Sequence, residues 1–334
     1  MGIRRGVEVD AMLNGAERRG SCLYTTEKWA LNVLRRRVHA GSVLEVDRCS
    51  FIRYGTWKNL DPLTRYLWRI NAVATALPGC VFCRESAAVL YGLYVSYSKL
   101  QRVHVATTSK GHSSSSRLVT RHPVDGDEIV TIGGLRTTSL LRTSFDCMRT
   151  YEFPEALAIA DSTLRFGAQR AALEAYVNGM RNYQGASMAR WATAYADPRA
   201  ENGGESIARA AMILCGFEIP DLQHPIKDTL TGKEYRADFY WVLPDGTKVV
   251  GELDGNRKYT DPAYMGGRTQ TGVLLDERKR ESRITTKVSR VCRFSPEEVR
   301  DQQYLTRLLD EYGIPRDPDN IPSFSKRFRC GKAS

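Results

Sequence analysis

Three carboxylates in one short stretch have the types and spacing that bind a divalent cation. Asp238 lies in a segment rich in aromatic and β-branched residues, and Glu252 and Asp254 lie in a valine-containing segment that follows it. The turn signal at residues 244–246, Pro-Asp-Gly, separates the two segments, so the stretch predicts a β-hairpin. With the turn centred on Asp245, residue 238 faces residue 252, and directly opposed residues have Cβ atoms roughly 4.5–5.5 Å apart. Their like charges repel, and a cation bound between them relieves that repulsion.

Hard divalent cations prefer such oxygen ligands, and Mg²⁺, or Mn²⁺ in its place, is the cofactor that the pattern predicts. Carboxylates that hold such an ion activate water for phosphodiester hydrolysis. The predicted metal ligands are Asp238, Glu252 and Asp254. The alternative is a solvent-facing hairpin whose acids are unrelated surface residues.

The composition indicates a folded protein with a polyanionic partner. A chain of 334 residues is long enough for two or three domains, and 42% hydrophobic and 26% charged residues are typical of soluble globular proteins. The formal net charge of +11 favours nucleic acid as the partner. No apolar run is long enough to cross a bilayer and the N-terminus has no apolar signal core, so we expect a cytoplasmic protein without a membrane partner. The eight scattered cysteines, including the single pair Cys80 and Cys83, are interpreted as reduced thiols.

Residues 1–58 are predicted to form a winged-helix DNA-binding region. Residues 1–20 are polar and basic with little helical periodicity. A helix then opens at residues 24–27, where Thr25 or Thr26 can cap it, and stops at Gly41. A basic hairpin turns at residues 47–48, and a helix followed by such a hairpin is the winged-helix pattern. The candidate DNA contacts are the cations Lys28, Arg35, Arg36, Arg48 and Arg53. The alternative is a solvated basic helix.

The remaining chain predicts four further parts, in a fold that combines α/β and α+β domains. Residues 59–170 predict a small α+β middle domain and residues 171–200 a helical linker, with one helix over 171–194. Residues 201–313 predict an α/β domain, and residues 314–334 a basic tail. In the α/β domain the hairpin is preceded by a helix over 205–215. It is followed by a charged helix over 274–285, a strand over 288–294 and a closing helix over 296–312.

The order of these C-terminal features resembles the PD-(D/E)xK nuclease superfamily, and more narrowly the Vsr-like endonuclease domain. The matching words are ESIAR at 205–209, Gln223, RAD at 236–238, VGELDG at 250–255, KY at 258–259, ERKR at 277–280 and RF at 293–294. The resemblance implies a nuclease domain with a mixed sheet, and a metal site of Asp238 and Glu252 that Glu205 aids. At the position where the superfamily motif usually has its final lysine, this chain has Asp254. The positive charge of that lysine is expected to come from Lys258, Lys279 or Arg280.

Residues 24–166 are similar to the AbiEi-type antitoxins. The similarity rests on the winged-helix pattern, on RESAAVLYGL at 84–93 and on TSLLRTSFD at 138–146. It implies a context of phage defence or toxin–antitoxin pairing, with a cognate toxin or defence protein as partner.

Together these patterns predict a cytoplasmic, Mg²⁺-dependent DNA endonuclease fused to an antitoxin-like DNA-binding region. The predicted catalytic residues are Glu205, Asp238, Glu252, Asp254, Lys258, Lys279 and Arg280. The alternative function is a noncatalytic DNA-binding transcriptional regulator or antitoxin that keeps the nuclease fold as a binding surface.

Overall fold

The chain folds as a mixed α and β protein in two compact units. The computed structural model describes residues 2–107, 118–124, 128–228, 231–254 and 288–317, which contain twelve α-helices and three β-sheets. The two units are Met1–Cys147 and Met148–Ser334. None of the described helices combines the length and the apolar composition that crossing a lipid bilayer demands.

The first unit begins with two helices packed on a small sheet. Its elements are α1 (Gly2–Arg18), β1 (Leu23–Tyr24), α2 (Lys28–His39), β2 (Val43–Asp47) and β3 (Ser50–Arg53). The antiparallel strands have the order β1-β3-β2. The predicted hairpin is confirmed, but residues 1–20 form a longer helix than their weak periodicity indicated, because Val9, Leu13 and Ala16 are buried against α2. Helix α2 begins at Lys28 after Glu27, without a side-chain cap, so the predicted cap by Thr25 or Thr26 is wrong.

The rest of the first unit contains a five-stranded mixed sheet with the order β6-β5-β4-β8-β7. Its elements are α3 (Tyr54–Asn59), α4 (Pro62–Ala76), β4 (Val81–Phe82), α5 (Arg84–Tyr91), β5 (Val103–Thr107), β6 (Val119–Pro123), β7 (Ile129–Ile132), β8 (Leu135–Thr138) and α6 (Leu140–Met148). Asp61 caps helix α4, since its side chain accepts hydrogen bonds from the amides of Leu63 and Thr64. All seven cysteines in the described part of the chain are free thiols, as predicted.

The second unit is a helical layer followed by a four-stranded mixed sheet. Its elements are α7 (Phe153–Arg165), α8 (Arg170–Gly179), α9 (Ala186–Tyr195), α10 (Gly203–Leu214), β9 (Asp221–Lys227), β10 (Glu234–Val242), β11 (Lys248–Leu253), β12 (Arg290–Phe294), α11 (Pro296–Arg300) and α12 (Gln302–Glu311). The strand order is β12-β11-β10-β9, with β11 and β12 parallel and the other pairs antiparallel. The core of this unit joins the sheet to α10 and α12, through Met212, Phe239, Trp241, Cys292, Phe294, Leu305 and Leu309.

Two predicted helices are each divided in the structure. The single helix expected over 171–194 is wrong, because α8 and α9 are separated by a turn that ends at Gly185. Gly185 has φ +79°, and a Cβ atom there would collide with the carbonyl oxygen of Arg149. The prediction of one closing helix over 296–312 is also wrong, because Asp301 ends α11 and caps α12.

The second unit includes helices that the sequence grouped elsewhere. Residues 148–170, predicted as part of the middle domain, lie in this unit together with the predicted linker. The charged helix expected over 274–285 and most of the basic tail lie outside the described residues.

Candidate functional site

The hairpin of β10 and β11 forms with the register that the turn predicts. Phe239 pairs with Gly251, and the pairing continues to Val242 and Lys248. The turn is closed by Thr247, whose amide donates to the Asp245 carboxylate at 2.8 Å. One further step along the same register places Asp238 opposite Glu252.

Asp238 is held by donors from both neighbouring strands. Its Oδ2 accepts a hydrogen bond from the Leu253 amide at 3.0 Å, at the end of β11. Its Oδ1 accepts one from Nε2 of Gln223 in β9, at 3.4 Å. The half-buried carboxylate is therefore fixed beside the end of the hairpin.

Glu205 is placed by the first turn of α10. Asn202 caps this helix, and its Oδ1 accepts from the amides of Gly204 and Glu205. The buried Glu205 carboxylate in turn accepts from the Glu201 amide at 2.7 Å and from Nδ2 of Asn202 at 2.5 Å. Burial, followed by the negative charge of Asp238, raises the pKa of Glu205 to about 7. Two of the predicted catalytic carboxylates thus lie close enough to repel each other.

Gln223 joins these two acids, and the sequence assigned it no role. Its Nε2 donates to Glu205 Oε2 at 3.2 Å as well as to Asp238. The backbone of Gln223 has φ +52°, which is uncommon for a residue with a side chain. The β9–β10 ladder pairs the residues on either side, His224 with Ala237 and Leu222 with Phe239, and omits Gln223. In the sequence, the feature that pointed to Gln223 was that it is one of the positions matching the nuclease family.

Arg293 is the second residue that the sequence left without a role. It lies on β12 as the parallel partner of Glu252, and its Nη2 is 3.3 Å from Glu252 Oε2. Its Nη1 is 3.7 Å from Asp254 Oδ2, and the Asp254 amide donates to the carbonyl of Phe294 at 3.0 Å. Glu252 is only 3% exposed, so an opposite charge beside it matters for the fold.

The three predicted metal ligands do not form a complete metal-binding group among the residues that the structure describes. Within the described residues, no three His, Cys, Asp or Glu side chains form a group that could hold a metal ion, so Asp238, Glu252 and Asp254 do not form such a group. The carboxylate oxygens nevertheless belong to the donor class that Mg²⁺ and Mn²⁺ prefer. Lys258, Lys279 and Arg280, the predicted sources of positive charge, lie outside the described part of the chain.

The candidate DNA contacts of the first unit differ in their surroundings. Lys28, Arg35 and Arg36 on α2 and Arg48 in the hairpin turn are exposed. Arg53 is only 28% exposed, and it forms an ion pair of 2.8 Å with Glu17 of α1 and a longer one with Asp10. The charge of Arg53 is therefore engaged inside the unit.

Comparison with known proteins places this chain beside two mycobacterial proteins. No protein-family model matches the chain. It is similar to the uncharacterized protein MT2308 of Mycobacterium tuberculosis strain CDC 1551 / Oshkosh and to the uncharacterized protein Rv2248 of strain ATCC 25618 / H37Rv. In each case the identity is 28% over 252 residues, which covers 71% of this chain and 90% of the relative.

Proposed function

We propose that this protein is a DNA endonuclease that hydrolyses phosphodiester bonds with Mg²⁺ or Mn²⁺. The observation that carries the proposal is the hydrogen-bonded chain Glu205–Gln223–Asp238, which ends at the hairpin edge that holds Glu252. Acids from a helix and a strand are gathered there although their charges repel. A fold tolerates such repulsion where a cation is bound.

The order of elements supports a nuclease of the Vsr-like, PD-(D/E)xK type. The helix that carries Glu205 precedes three antiparallel strands, and Asp238 and Glu252 occupy the second and third of these. The last strand, β12, lies parallel to β11 at the edge of a mixed sheet. The sequence words of the resemblance follow the same order along the chain.

Asp238 and Glu252 are the residues that would hold the cation. The ion supplies Lewis-acid polarisation of the phosphoryl group and lowers the pKa of water. The remaining contributions come from the chain itself: Gln223 orients Glu205 and Asp238, and the Leu253 amide fixes the second oxygen of Asp238. Such positioning is a main component of phosphoryl-transfer catalysis.

The first unit would bring the enzyme to DNA. Four exposed cations on α2 and the β2–β3 turn, Lys28, Arg35, Arg36 and Arg48, suit contacts with phosphates of a duplex. The helix-and-hairpin arrangement supports a winged-helix role, and the similarity to AbiEi-type antitoxins supports a cognate toxin or defence protein as a further partner. The proposed site of action is the cytoplasm.

One observation favours the second candidate, a noncatalytic DNA-binding regulator. Arg293 already places a positive charge beside Glu252 and Asp254. An arginine in that position makes the buried acid compatible with folding in the absence of a cation. The two candidates therefore differ in what the carboxylates do rather than in whether DNA is bound.

The test replaces Glu252 by glutamine, which keeps the size and removes the charge. The enzyme proposal predicts that Glu252→Gln binds duplex DNA at least as well as the wild type and no longer nicks plasmid DNA with Mg²⁺ or Mn²⁺. The matched control is Glu297→Gln, an exposed glutamate of α11, which should nick like the wild type. A wild type that binds DNA and leaves every tested plasmid intact with both metals would support the regulator instead.

A further inference from the structure

The parallel pair β11–β12 brings a permanent positive charge to the candidate site. In the family resemblance, Asp254, which directly follows β11, stands where a lysine is usual. We propose that Arg293 takes over the electrostatic role of that lysine: it offsets the charges of Glu252 and Asp254 and holds the Glu252 carboxylate in the orientation that catalysis needs. The inference rests on the proposed endonuclease function and assigns a positioning residue within it.

The position of Arg293 is set by the fold. Glu252 and Arg293 are register partners in the parallel ladder, so their side chains leave the same face of the sheet. Cys292 and Phe294, which flank Arg293, are fully buried in the core and fix the strand on both sides. The guanidinium consequently lies within ion-pair distance of two acids, at 3.3 Å from Glu252 and 3.7 Å from Asp254.

The burial of Glu252 makes its ion pair with Arg293 important for the stability of the fold. The Glu252 carboxylate is 3% exposed and has lost most of its contact with water, and a buried charge without a partner strongly destabilises a fold. Arginine stays protonated in proteins, whereas a buried lysine readily loses its proton. Arg293 therefore supplies a charge that neither burial nor a rise in pH removes.

Arg293 also sets how strongly the carboxylates attract a divalent cation. Its charge offsets part of the negative charge that Glu252 and Asp254 carry when ionised. Removing Arg293 would therefore make the cluster more attractive to the ion while leaving Glu252 poorly oriented.

The first experiment measures nicking by three variants. Arg293→Gln should lower the nicking rate by roughly 10²-fold, the size of effect seen when one preorganised donor is removed from an active site. Arg293→Lys should retain part of the rate, because position 293 is 26% exposed and a partly exposed lysine there can keep its proton. The double variant Arg293→Gln with Asp254→Lys returns the charge to the superfamily's usual position, and it should recover about tenfold over Arg293→Gln. The control Arg300→Gln, an exposed arginine of α11, should nick like the wild type.

The second experiment measures Mn²⁺ binding by the protein without DNA. Because its cluster is more negative, Arg293→Gln should bind Mn²⁺ about three- to tenfold more tightly than the wild type. A purely structural arginine would weaken Mn²⁺ binding and nicking together when it is removed. If Arg293→Gln does not fold, Arg293→Gln combined with Glu252→Gln removes both partners of the ion pair and should fold again, since the two charges compensate each other.

The outcomes separate the two proposals. Wild-type nicking that Arg293→Gln retains would overturn the role of Arg293 and leave the endonuclease standing. Loss of nicking without tighter Mn²⁺ binding and without recovery by Asp254→Lys would also overturn it, and so would a double-charge variant that stays unfolded. A wild type that binds Mn²⁺ and never nicks overturns the endonuclease, whereas tighter binding by Arg293→Gln would still support charge compensation.

Discussion

Asp161 and Arg209 form an ion pair that is closed to solvent, with Nη2 of Arg209 at 2.8 Å from both carboxylate oxygens. Nη1 of Arg209 donates to the Tyr195 carbonyl at 2.8 Å, and Asp161 also accepts from the Asp197 amide at 2.7 Å. This pair joins α7 to α10 one turn after Glu205. It therefore anchors the helix whose first turn carries the candidate acid.

Breaking this pair should destabilise the second unit. Arg209→Met leaves Asp161 charged and buried, and the free energy of unfolding should fall by about 3 to 5 kcal/mol. The control is Arg199→Ala, because Arg199 is 52% exposed and its ion pair with Asp197 should contribute less than about 1 kcal/mol. Urea unfolding followed by circular dichroism measures both. Equal losses in the two variants would contradict the anchoring role of Arg209.

The protonation of Glu205 should make stability depend on pH. Its pKa is about 7 in the folded chain against an ordinary value of 4.5, chiefly because of burial. An acid whose pKa is raised binds its proton more tightly when folded, so its contribution is full below about pH 4.5 and is lost as the pH rises through 7. Removing this group should recover at most about 3 kcal/mol at pH 8.

The measurement compares urea unfolding at pH 5 and pH 8 in EDTA. Glu205→Gln should lose less stability between these two values than the wild type does. Glu297→Gln, whose side chain is exposed, should follow the wild type. The same pH dependence in all three proteins would show that Glu205 does not titrate as stated.

Substitutions of Gln223 should separate its effect on nicking, through the side-chain amide, from its effect on stability, through the backbone. Its φ of +52° costs a residue with a Cβ atom about 1 to 2 kcal/mol, a cost that glycine does not have. Gln223→Gly should therefore be more stable than Gln223→Ala by about 1 kcal/mol, while both lose the amide that joins Glu205 to Asp238. Nicking should fall equally in the two variants. A nicking rate that follows their stability would instead show that the amide is not needed.

The basic residues of the first unit should divide into two groups. Replacing exposed Arg35 and Arg36 by alanine should weaken duplex binding and reduce the salt-dependence slope by about 2. Arg53→Ala should leave that slope unchanged and lower stability by about 2 kcal/mol, because it breaks the ion pair with Glu17. Fluorescence anisotropy at several salt concentrations and urea unfolding measure these effects. If the salt-dependence slope fell in Arg53→Ala and not in the Arg35 and Arg36 double variant, Arg53 would be the DNA contact and the arginines of α2 would not.

Local patterns were enough to predict the hairpin but not the contacts that complete the site. The turn at residues 244–246 sets the register of β10 and β11, because a short turn allows few pairings. Gln223 lies at an irregular point of the β9–β10 ladder that no local pattern specifies. Arg293 lies on β12, whose alignment with β11 depends on packing between distant parts of the chain. The division at Gly185 escaped prediction for the same reason, since the obstructing carbonyl belongs to Arg149.

The parallel pairing of β11 with β12 has a consequence for the order of folding. The β10–β11 hairpin pairs residues that are close in sequence, so forming it costs little conformational entropy. Arg293 lies about forty residues beyond Glu252, so pairing β12 with β11 closes a much larger loop. During synthesis, the acids of the hairpin therefore leave the ribosome well before the arginine that compensates them. Until β12 docks, Glu252 is more stable in water than in the core, so the hairpin edge should stay open in the nascent chain and close in one cooperative step with the last strand.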